Sequence, residues 1–403
     1  MKSLFAGLAA GVLLLGQGLA GSAVAHESLK LEAPKPDLAS APPMGWNSWN
    51  KYKCDISEEL IRKQADAMAS SGLKDAGYQY IVIDDCWQSH RDEKGNIQAD
   101  PVRFPSGIKS LVDYVHSKGL KFGLYSDAGV LTCAGRPGSA GYEFQDARQY
   151  AEWGVDYLKY DWCYTGTRNA EAAYTIMAKA LRASGRDIVL SICEWGDNNP
   201  SAWAHKAGHM WRTTGDIFDA WEGQQGHSIG MTNILDKQVE LWRYSGPNRW
   251  NDPDMLEVGN GGMTVTEYES HFSLWAILAA PLIAGNDMAN MDADTLRILT
   301  NKDVIAVDQD VLGVQGRRIH KDGDLEIWAR PLKGGDYAVV LFNRSAEAKD
   351  MRVTWEQLNL PAGLKAEVKD LWSKKVTRNV AGSYGGTVAS HGVIMVRLTP
   401  KKL

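Results

Sequence analysis

The sequence has few features of a membrane protein or a nucleic-acid-binding protein. After the first 20 residues it has no apolar run that approaches the length of a membrane span. Its 403 residues include 44 basic and 49 acidic side chains, which give a formal charge of −5 without a long run of Lys or Arg. This charge pattern excludes the basic surface expected of a nucleic-acid-binding protein. With 44% apolar and 23% charged residues, the composition is typical of a globular protein.

Several common catalytic and metal-binding motifs are also absent. The chain has no Gly-x-Ser-x-Gly nucleophile elbow, no phosphate-binding P-loop and no EF-hand loop. His205 and His209 are four residues apart, but no Glu lies between them and His209 leads into an apolar run. Both are therefore interpreted as structural rather than as zinc ligands. The sequence predicts neither a cofactor nor a metal.

The first 25 residues have the composition of a secretory signal peptide. Lys2 gives a positive start, residues 4–19 are mostly apolar, and residues 23–25 (Ala-Val-Ala) form a small-residue cleavage site. The apolar part is short for a membrane anchor and contains several Gly, which favours cleavage. The polar, Pro-rich residues 26–41 are interpreted as a flexible leader. We therefore expect a secreted or periplasmic protein without membrane contact after cleavage.

Cysteine is scarce. Five residues follow the predicted signal peptide: Cys54, Cys86, Cys133, Cys163 and Cys193. In an oxidising compartment most of them should pair, and an odd number leaves one thiol over. Several arrangements of two bridges are possible, and the spacing alone does not choose among them.

The middle of the chain alternates short apolar runs with helical patterns. Eight apolar runs occupy residues 43–46, 80–85, 121–127, 156–161, 188–194, 209–216, 249–254 and 282–287. Helical patterns lie between them at residues 57–76, 106–118, 142–153, 169–184, 232–245 and 266–279. Eight strand–helix units predict an α/β fold, a (β/α)8 TIM barrel over residues 42–312. A doubly wound open sheet is the alternative, and the lack of a Gly-rich dinucleotide fingerprint after the first strand weakens it.

Residues 313–403 have a different pattern. Apolar and polar residues alternate in runs at 325–329, 337–343, 351–355, 366–371 and 393–398, separated by Gly, Asp and Asn. This pattern predicts a C-terminal antiparallel β-sandwich domain. Its residues do not demand carbohydrate binding, so a scaffolding role is favoured.

Acidic residues follow most of the predicted barrel strands. Six of the eight strand ends carry them: Asp84 with Asp85, Asp127, Asp161, Glu194, Asp216 and Asp254. The carboxyl ends of the strands form the catalytic face of a TIM barrel. A single acid after a strand often caps the next helix, but a set of this size favours binding of cations, sugar hydroxyls or developing positive charge.

Two of these acids are candidates for glycoside hydrolysis, which needs one nucleophilic carboxyl group and one that acts as acid and then base. Asp161 is the nucleophile candidate. Lys159, two residues earlier on the same side of the strand, is expected to lower the pKa of Asp161 and keep it ionised. Asp216 is the acid/base candidate.

Six motifs resemble the signature blocks of glycoside hydrolase family 27, which comprises the melibiase-type α-galactosidases and the α-N-acetylgalactosaminidases. In chain order they are Met44-Gly45-Trp46-Asn47-Ser48-Trp49, Ile83-Asp84-Asp85-Cys86-Trp87, Lys159-Tyr160-Asp161-Trp162-Cys163, Cys193-Glu194-Trp195, Trp211-Arg212 and Trp250-Asn251-Asp252-Pro253-Asp254-Met255. The resemblance extends from about Pro42 to Val314.

The resemblance implies a retaining α-galactosidase with Asp161 as nucleophile and Asp216 as acid/base, acting on galactose-containing oligo- or polysaccharides. It assigns substrate binding to Trp46, Asp84, Asp85, Tyr125, Lys159, Cys193, Glu194, Trp195, Arg212, Asp254 and Met255. It also implies the disulfides Cys54–Cys86 and Cys133–Cys163, with Cys193 as a free thiol near the sugar.

Other activities remain as alternatives. An α-N-acetylgalactosaminidase and a β-L-arabinopyranosidase share the chemistry, but Glu194 and Trp195 are expected to crowd the C2 side of the sugar and exclude an acetamido group. A non-catalytic sugar-binding barrel is expected to lack Asp161 or Asp216, and this chain has both. The sequence specifies no oligomeric state.

Overall fold

A ring of eight parallel strands forms the first part of the computed structural model, which describes residues 38–401. The strands, β1–β8, span Met44–Asn47, Tyr80–Val82, Lys121–Asp127, Tyr157–Asp161, Val189–Ile192, Met210–Arg212, Trp250–Asp252 and Leu282–Ala284. They are paired in the order β7-β6-β5-β4-β3-β2-β1-β8. A parallel bridge between Leu256 and Ala284 joins the two edges and closes the ring. The predicted TIM barrel is confirmed.

The N-terminal segment is described only from residue 38. The predicted signal peptide and the predicted leader up to residue 37 lie outside the described residues. Residues 38–41 differ from the expected flexible leader, because they pack at the amino-terminal end of the barrel. There, Ala39 N donates a hydrogen bond to Asn248 Oδ1 (2.9 Å), and Trp250 Nε1 donates one to Ala39 O (2.8 Å). No helix among the described residues is both long enough and apolar enough to cross a membrane.

Helices cover the outside of the barrel. The described part of the chain has ten α-helices, α1–α10, at Trp49–Tyr52, Glu58–Ser70, Leu73–Ala76, Gly107–Ser117, Glu143–Trp153, Ala170–Ala183, Met231–Gln238, Val265–Ile277, Ala293–Leu299 and Lys302–Asp308. Short 3-10 helices lie at Pro200–Ala202, Ala204–Lys206, Leu241–Arg243, Met288–Asn290 and Lys333–Gly335.

Helix α2 shows how the sequence builds these elements. Its N-cap Ser57 accepts a hydrogen bond from Leu60 N (3.2 Å), which satisfies a free amide of the first turn. Ile61, Ala65 and Met68 are three or four residues apart and fully buried, so one face of the helix packs on the barrel. The predicted helix 57–76 is interrupted at Gly72, whose φ of 97° does not fit a helix.

Strands β9–β16 form two antiparallel sheets after the barrel. They span Arg317–Asp322, Leu325–Pro331, Tyr337–Asn343, Lys349–Thr354, Lys365–Asp370, Val376–Ala381, Ser383–Val388 and Val393–Pro400. The larger sheet has the order β9-β10-β11-β16-β13-β14, and β12 pairs with β15. Buried residues of both sheets, including Leu341 and Val353, share one core, which confirms the predicted antiparallel sandwich.

Strand β11 is buried on both faces and joins the sandwich to the barrel. Val339 and Leu341 point into the sandwich core, whereas Ala338, Val340 and Phe342 belong to the barrel core. The barrel-facing side packs on α8, which lies between the two domains and is buried along most of its length. The two domains therefore share a continuous apolar interface.

Candidate active site

The carboxyl ends of the barrel strands surround a narrow cavity, here called the inner cavity. It is lined by Trp49, Asn50, Asp84, Asp85, Tyr125, Cys133, Lys159, Asp161, Trp195, Arg212, Asp216, Asp254 and Met255. These residues come from the ends of β1–β7 and the loops that follow them, so they lie on one face of the barrel. Most of the predicted site residues are brought together here.

Strand alternation explains why Lys159 and Asp161 both face the inner cavity. Successive side chains of β4 point to opposite sides, so these two residues share the barrel interior. Tyr160, between them, points outward, where its ring packs edge-on against Tyr174 at 5.6 Å. The spacing Lys-x-Asp at the end of the strand therefore places a cation and a carboxylate in the same cavity.

The Asp84 carboxylate is held by a cation and an amide. Lys159 Nζ and Asn47 Nδ2 donate hydrogen bonds to Asp84 Oδ2 at 2.8 and 2.7 Å. The neighbouring Asp85 accepts a hydrogen bond from Ala134 N at 2.8 Å. Burial raises the pKa of Asp85, and the hydrogen bonds from Ala134 N and Cys86 N limit the increase. The pair thus presents oriented carboxyl oxygens to any hydroxyl that enters the cavity.

Asp161 lines the inner cavity and is nearly buried, with 5% of its surface exposed. Tyr125 OH donates to Asp161 Oδ2 (2.9 Å), and Trp162 N donates to Asp161 Oδ1 (3.0 Å). Burial raises the pKa of Asp161 to about 6, although the positive charge of Lys159 opposes the shift. Lys159 acts in the predicted direction, but the expectation of a lowered pKa is wrong because desolvation of a buried carboxylate outweighs one cation.

Asp216 follows β6 and has a more open environment. Its side chain is 45% exposed, and its Oδ1 accepts a hydrogen bond from Arg212 Nη2 at 3.1 Å. The same guanidinium nitrogen lies 2.9 Å from Asp254 Oδ2. Burial tends to raise the pKa of Asp216, but Arg212 outweighs it and holds that pKa below the ordinary value. Of the two groups, Asp161 is therefore the carboxyl that binds a proton more readily.

Three predicted binding residues do not line the inner cavity. Trp46 is fully buried in the barrel wall, where its Nε1 donates to Asn286 O (2.7 Å). Trp49, three residues later, supplies the expected indole wall instead. Cys193 is buried behind Arg212, whose Nη1 lies 3.7 Å from its sulfur. The third residue is Glu194.

Glu194 stabilises its own loop rather than facing the cavity. Its carboxylate accepts hydrogen bonds from Gly196 N (3.1 Å), Asn198 N (2.5 Å) and Asn198 Nδ2 (2.8 Å). This turn holds Trp195, with φ 59°, in the cavity wall. Burial raises the pKa of Glu194 to about 7.

Asp127 has a similar role, because it accepts hydrogen bonds from backbone amides of two loops. Neither acid caps the next helix, as the capping alternative expected, but both bind loop amides instead of facing the cavity.

Three residues that line the inner cavity were not assigned from the sequence: Trp49, Asn50 and Cys133. Trp49 and Asn50 begin α1, which starts two residues after the end of β1, so they lie just beyond the carboxyl end of that strand. Asn50 Nδ2 also donates to the buried carboxyl group of Glu257, which fixes its orientation. The second Trp of the first motif was the available signal for this wall.

Two disulfides support the loops around the inner cavity. Cys54 pairs with Cys86 and Cys133 with Cys163, with Cα–Cα distances of 5.3 and 5.1 Å, whereas Cys193 is unpaired. This is the pairing that the resemblance implies. The second bridge ties the loop after β3 to the loop after β4 and so places Cys133 in the cavity wall. Its sulfurs lie near Asp127, but as a disulfide they are not thiolate ligands for a metal.

A wider outer cavity of about 390 Å³ opens beside the inner cavity. Its lining is mostly polar or charged: Trp49, Asn50, Lys51, Lys53, Asp216, Ile217, Phe218, Asp219, Gln225, Ser228, Glu257 and Asn260. The two cavities share Trp49, Asn50 and Asp216. Asp216 therefore lies at the boundary between the inner cavity and the outer cavity.

Comparison with known protein families identifies both domains. The family described as alpha galactosidase A matches residues 41–310, about two thirds of the chain. The chain belongs to the alpha galactosidase A family. A second model, the alpha galactosidase C-terminal beta sandwich domain, matches residues 322–398. Within the family, the chain is similar to alpha-galactosidase A of Cellvibrio japonicus, with 50% identity over 96% of this chain and 99% of the relative.

Solved structures of the family have the same fold. Alpha-galactosidase I from Mortierella vinacea has a TM-score of 0.88 and 41% identity, covering 90% of this chain and 98% of that one. The Saccharomyces cerevisiae α-galactosidase with raffinose has a TM-score of 0.86 and 31% identity, over 92% and 100% of the two chains. A β-L-arabinopyranosidase from Geobacillus stearothermophilus is more distant, with a TM-score of 0.82 and 26% identity over 91% and 98%.

Proposed function

We propose that the chain is a retaining α-galactosidase that removes terminal α-galactose by double displacement, with Asp161 as nucleophile and Asp216 as acid/base. The observation that carries this proposal is the placement of the two carboxyl groups. Asp161 is nearly buried and lines the inner cavity only, whereas Asp216 lines both the inner and the outer cavity. A sugar ring in the inner cavity would have its leaving group directed past Asp216.

Asp161 is suited to attack the anomeric carbon because it is held rigidly. Two donors, Tyr125 OH and Trp162 N, each bind one carboxylate oxygen. In the first step, the carboxylate forms a covalent bond to the anomeric carbon, and the bond from that carbon to the leaving oxygen breaks. In the second step, water attacks the same carbon and releases Asp161.

Asp216 is suited to proton transfer because it is partly exposed and borders the outer cavity. It gives a proton to the leaving oxygen in the first step and takes one from water in the second. The two pKa directions favour Asp161 over Asp216 as the protonated group, but the pair holds one proton whichever carboxyl group carries it. The side from which the leaving group departs therefore assigns the roles.

The remaining polar residues of the inner cavity fit the hydroxyl groups of a hexose. Asp84 and Lys159 form one charged pair, at 2.8 Å, and Arg212 and Asp254 form another, at 2.9 Å. Such pairs donate to and accept from adjacent hydroxyls at the same time. The ring of Trp49 supplies an apolar wall against which the carbon face of a sugar packs.

The shape of the wall beside Trp195 supports galactose over N-acetylgalactosamine. Trp195 lines the inner cavity, where the resemblance predicts that it crowds the C2 side of the sugar, and the hydrogen bonds of Glu194 hold the turn that carries it. A buried acetamido group without a partner costs about 1–3 kcal/mol. The lower similarity to the β-L-arabinopyranosidase also supports the galactosidase activity over that alternative.

The polar outer cavity supports an oligo- or polysaccharide substrate. Its asparagine, lysine and carboxylate side chains suit a hydroxyl-rich leaving group, and the yeast α-galactosidase is known in a structure with raffinose. The two disulfides fit an oxidising compartment. With the predicted signal peptide, they support a secreted or periplasmic location.

Initial rates on three nitrophenyl glycosides test the activity. We expect rapid hydrolysis of the α-galactoside and rates at least about tenfold lower for the α-N-acetylgalactosaminide, since about 1.4 kcal/mol corresponds to tenfold. We also expect slower hydrolysis of the β-L-arabinopyranoside. An Asp161→Ala variant is the control for contaminating activity. Comparable rates on the α-galactoside and the α-N-acetylgalactosaminide would contradict the proposed specificity. No hydrolysis of any of the three substrates would contradict the enzymatic activity and leave the sugar-binding barrel as the remaining alternative.

A further inference from the structure

The catalytic loop, residues 216–230, forms one wall of both cavities. It begins with Asp216, its contribution to the inner cavity, and its residues Ile217, Phe218 and Asp219 line the outer cavity. The loop closes on itself, because Ile229 N donates to Asp216 O at 2.8 Å. This bond connects the far end of the loop to the backbone of Asp216, whereas Asp161 is attached to a barrel strand.

The catalytic loop is held from outside the barrel through Trp221. The indole of Trp221 stacks on the imidazole of His391, with ring centroids 4.4 Å apart and an angle of 11° between the planes. Phe342 packs edge-on against the same indole at 5.6 Å. Both partners belong to the C-terminal domain: Phe342 lies on the barrel-facing side of β11, and His391 lies between β15 and β16.

His391 is itself anchored to the barrel. Its Nδ1 lies 2.7 Å from Glu267 Oε1, and its carbonyl accepts a hydrogen bond from Ser270 Oγ at 2.6 Å. Glu267 and Ser270 are both on α8, and Glu267 is also part of the capping box with Thr264. The imidazole plane is therefore fixed by a helix that both domains cover.

The main chain around Trp221 transmits this position to the rest of the loop. Thr232 N donates to Trp221 O (2.9 Å), and Met231 N donates to Ala220 O (2.9 Å). These bonds join the indole anchor to the first turn of α7. Trp221 is thus connected at its ring to the C-terminal domain and at its backbone to the barrel.

From these contacts we infer that the C-terminal domain positions the catalytic acid/base: His391 and Phe342 hold Trp221, and Trp221 sets the place of Asp216. His391 and Phe342 act as positioning residues, because they touch neither cavity. The inference rests on the proposed role of Asp216. It gives the C-terminal domain a part in catalysis without requiring it to bind carbohydrate.

Substitutions at His391 test this inference, with leaving-group dependence as the readout. His391→Ala removes the stacked ring, whereas His391→Phe keeps a planar ring and loses only the contact with Glu267. Trp372→Ala is the matched control, because the Trp372 ring bridges the C-terminal domain to α8 through Ser273 (2.9 Å) and packs under Arg297 of α9. Thermal unfolding of each full-length variant defines a temperature at which that variant remains folded. At that temperature, kcat/KM is measured on melibiose and on nitrophenyl α-galactoside.

A poor leaving group depends on a well-placed acid, whereas nitrophenol hardly does. We expect His391→Ala to lower kcat/KM on melibiose by about tenfold and on the nitrophenyl substrate by less than about threefold, since small misplacement of a catalytic group has effects of this order. His391→Phe should restore the wild-type ratio, and Trp372→Ala should leave it unchanged. Equal losses on both substrates, or no loss, for His391→Ala would overturn the inference. A wild-type enzyme inactive on both substrates would overturn the proposed function instead.

Discussion

Single side chains set the charge balance of the inner cavity. Lys159 pairs with Asp84, and Arg212 is shared between Asp216 and Asp254, so two buried cations offset a group of nearby carboxylates. The sequence alone indicated that these charges meet, because strand alternation brings Lys159 to the side of Asp161. It did not indicate the net effect, since the cost of desolvating Asp161 depends on how deeply the folded chain buries it.

Substitution of the two catalytic carboxyl groups should have different consequences. Asp161→Ala should abolish hydrolysis of all galactosides, because no covalent intermediate forms. Asp216→Ala should lower kcat/KM, which reports the first step, by roughly 10²–10⁴-fold on alkyl galactosides and much less on nitrophenyl galactosides, since a good leaving group needs no proton. Steady-state kinetics on the two substrate types measures this. Equal losses on both types for Asp216→Ala would contradict its role as general acid.

The pH dependence follows from the same pair. Double displacement needs one carboxyl ionised and one protonated, so the pair must hold a single proton. Burial raises the pKa of Asp161 to about 6, and Arg212 holds that of Asp216 below its ordinary value. The single proton is therefore lost as the pH rises through about 6, and kcat/KM should fall there, as it should at low pH when both groups are protonated. A kcat/KM that rises steadily from pH 6 to pH 8 would contradict this assignment.

At the scale of elements, regular patterns were predictable and strand ends were not. All eight barrel strands were predicted, because each is a short apolar run between helical patterns. The sequence assigned Trp46 to the site and did not assign Trp49. The sequence pattern does not show that β1 ends at Asn47, so that Trp49 in the next turn lines the cavity. Strands β9, β14 and β15 were missed, because they are largely exposed or rich in Gly and lack apolar alternation.

The turn after β5 should tolerate no side chain at Gly196. Its φ is 85°, and an added Cβ would lie 2.4 Å from Thr213 O, so Gly196→Ala must shift the turn that carries Trp195. We expect kcat/KM to fall by at least about tenfold and the protein to lose about 1–3 kcal/mol of stability. Gly166→Ala is the matched control, because φ is 59° there and an added Cβ meets nothing within 4 Å. Similar activity of the two variants would show that the turn does not shape the cavity.

At the scale of the whole molecule, the barrel and the sandwich are one folding unit. Phe342 is fully buried on the barrel-facing side of β11, whereas Phe144 is 47% exposed at the start of α5. Phe342→Ala should therefore destabilise the protein by about 3–5 kcal/mol, and Phe144→Ala should have little effect. Calorimetry should show a single transition in both variants, at a lower temperature for Phe342→Ala. Separate transitions for the two domains would contradict a shared core.

The central claim is double displacement by Asp161 and Asp216, and the configuration of the first-formed sugar tests it most directly. Two successive inversions at the anomeric carbon return the original configuration. Proton NMR spectra recorded during the first minutes of hydrolysis of an α-galactoside, before mutarotation, should therefore show the anomeric signal of α-galactose first and that of β-galactose only later. Initial appearance of β-galactose would mean a single inversion by water and would contradict the mechanism.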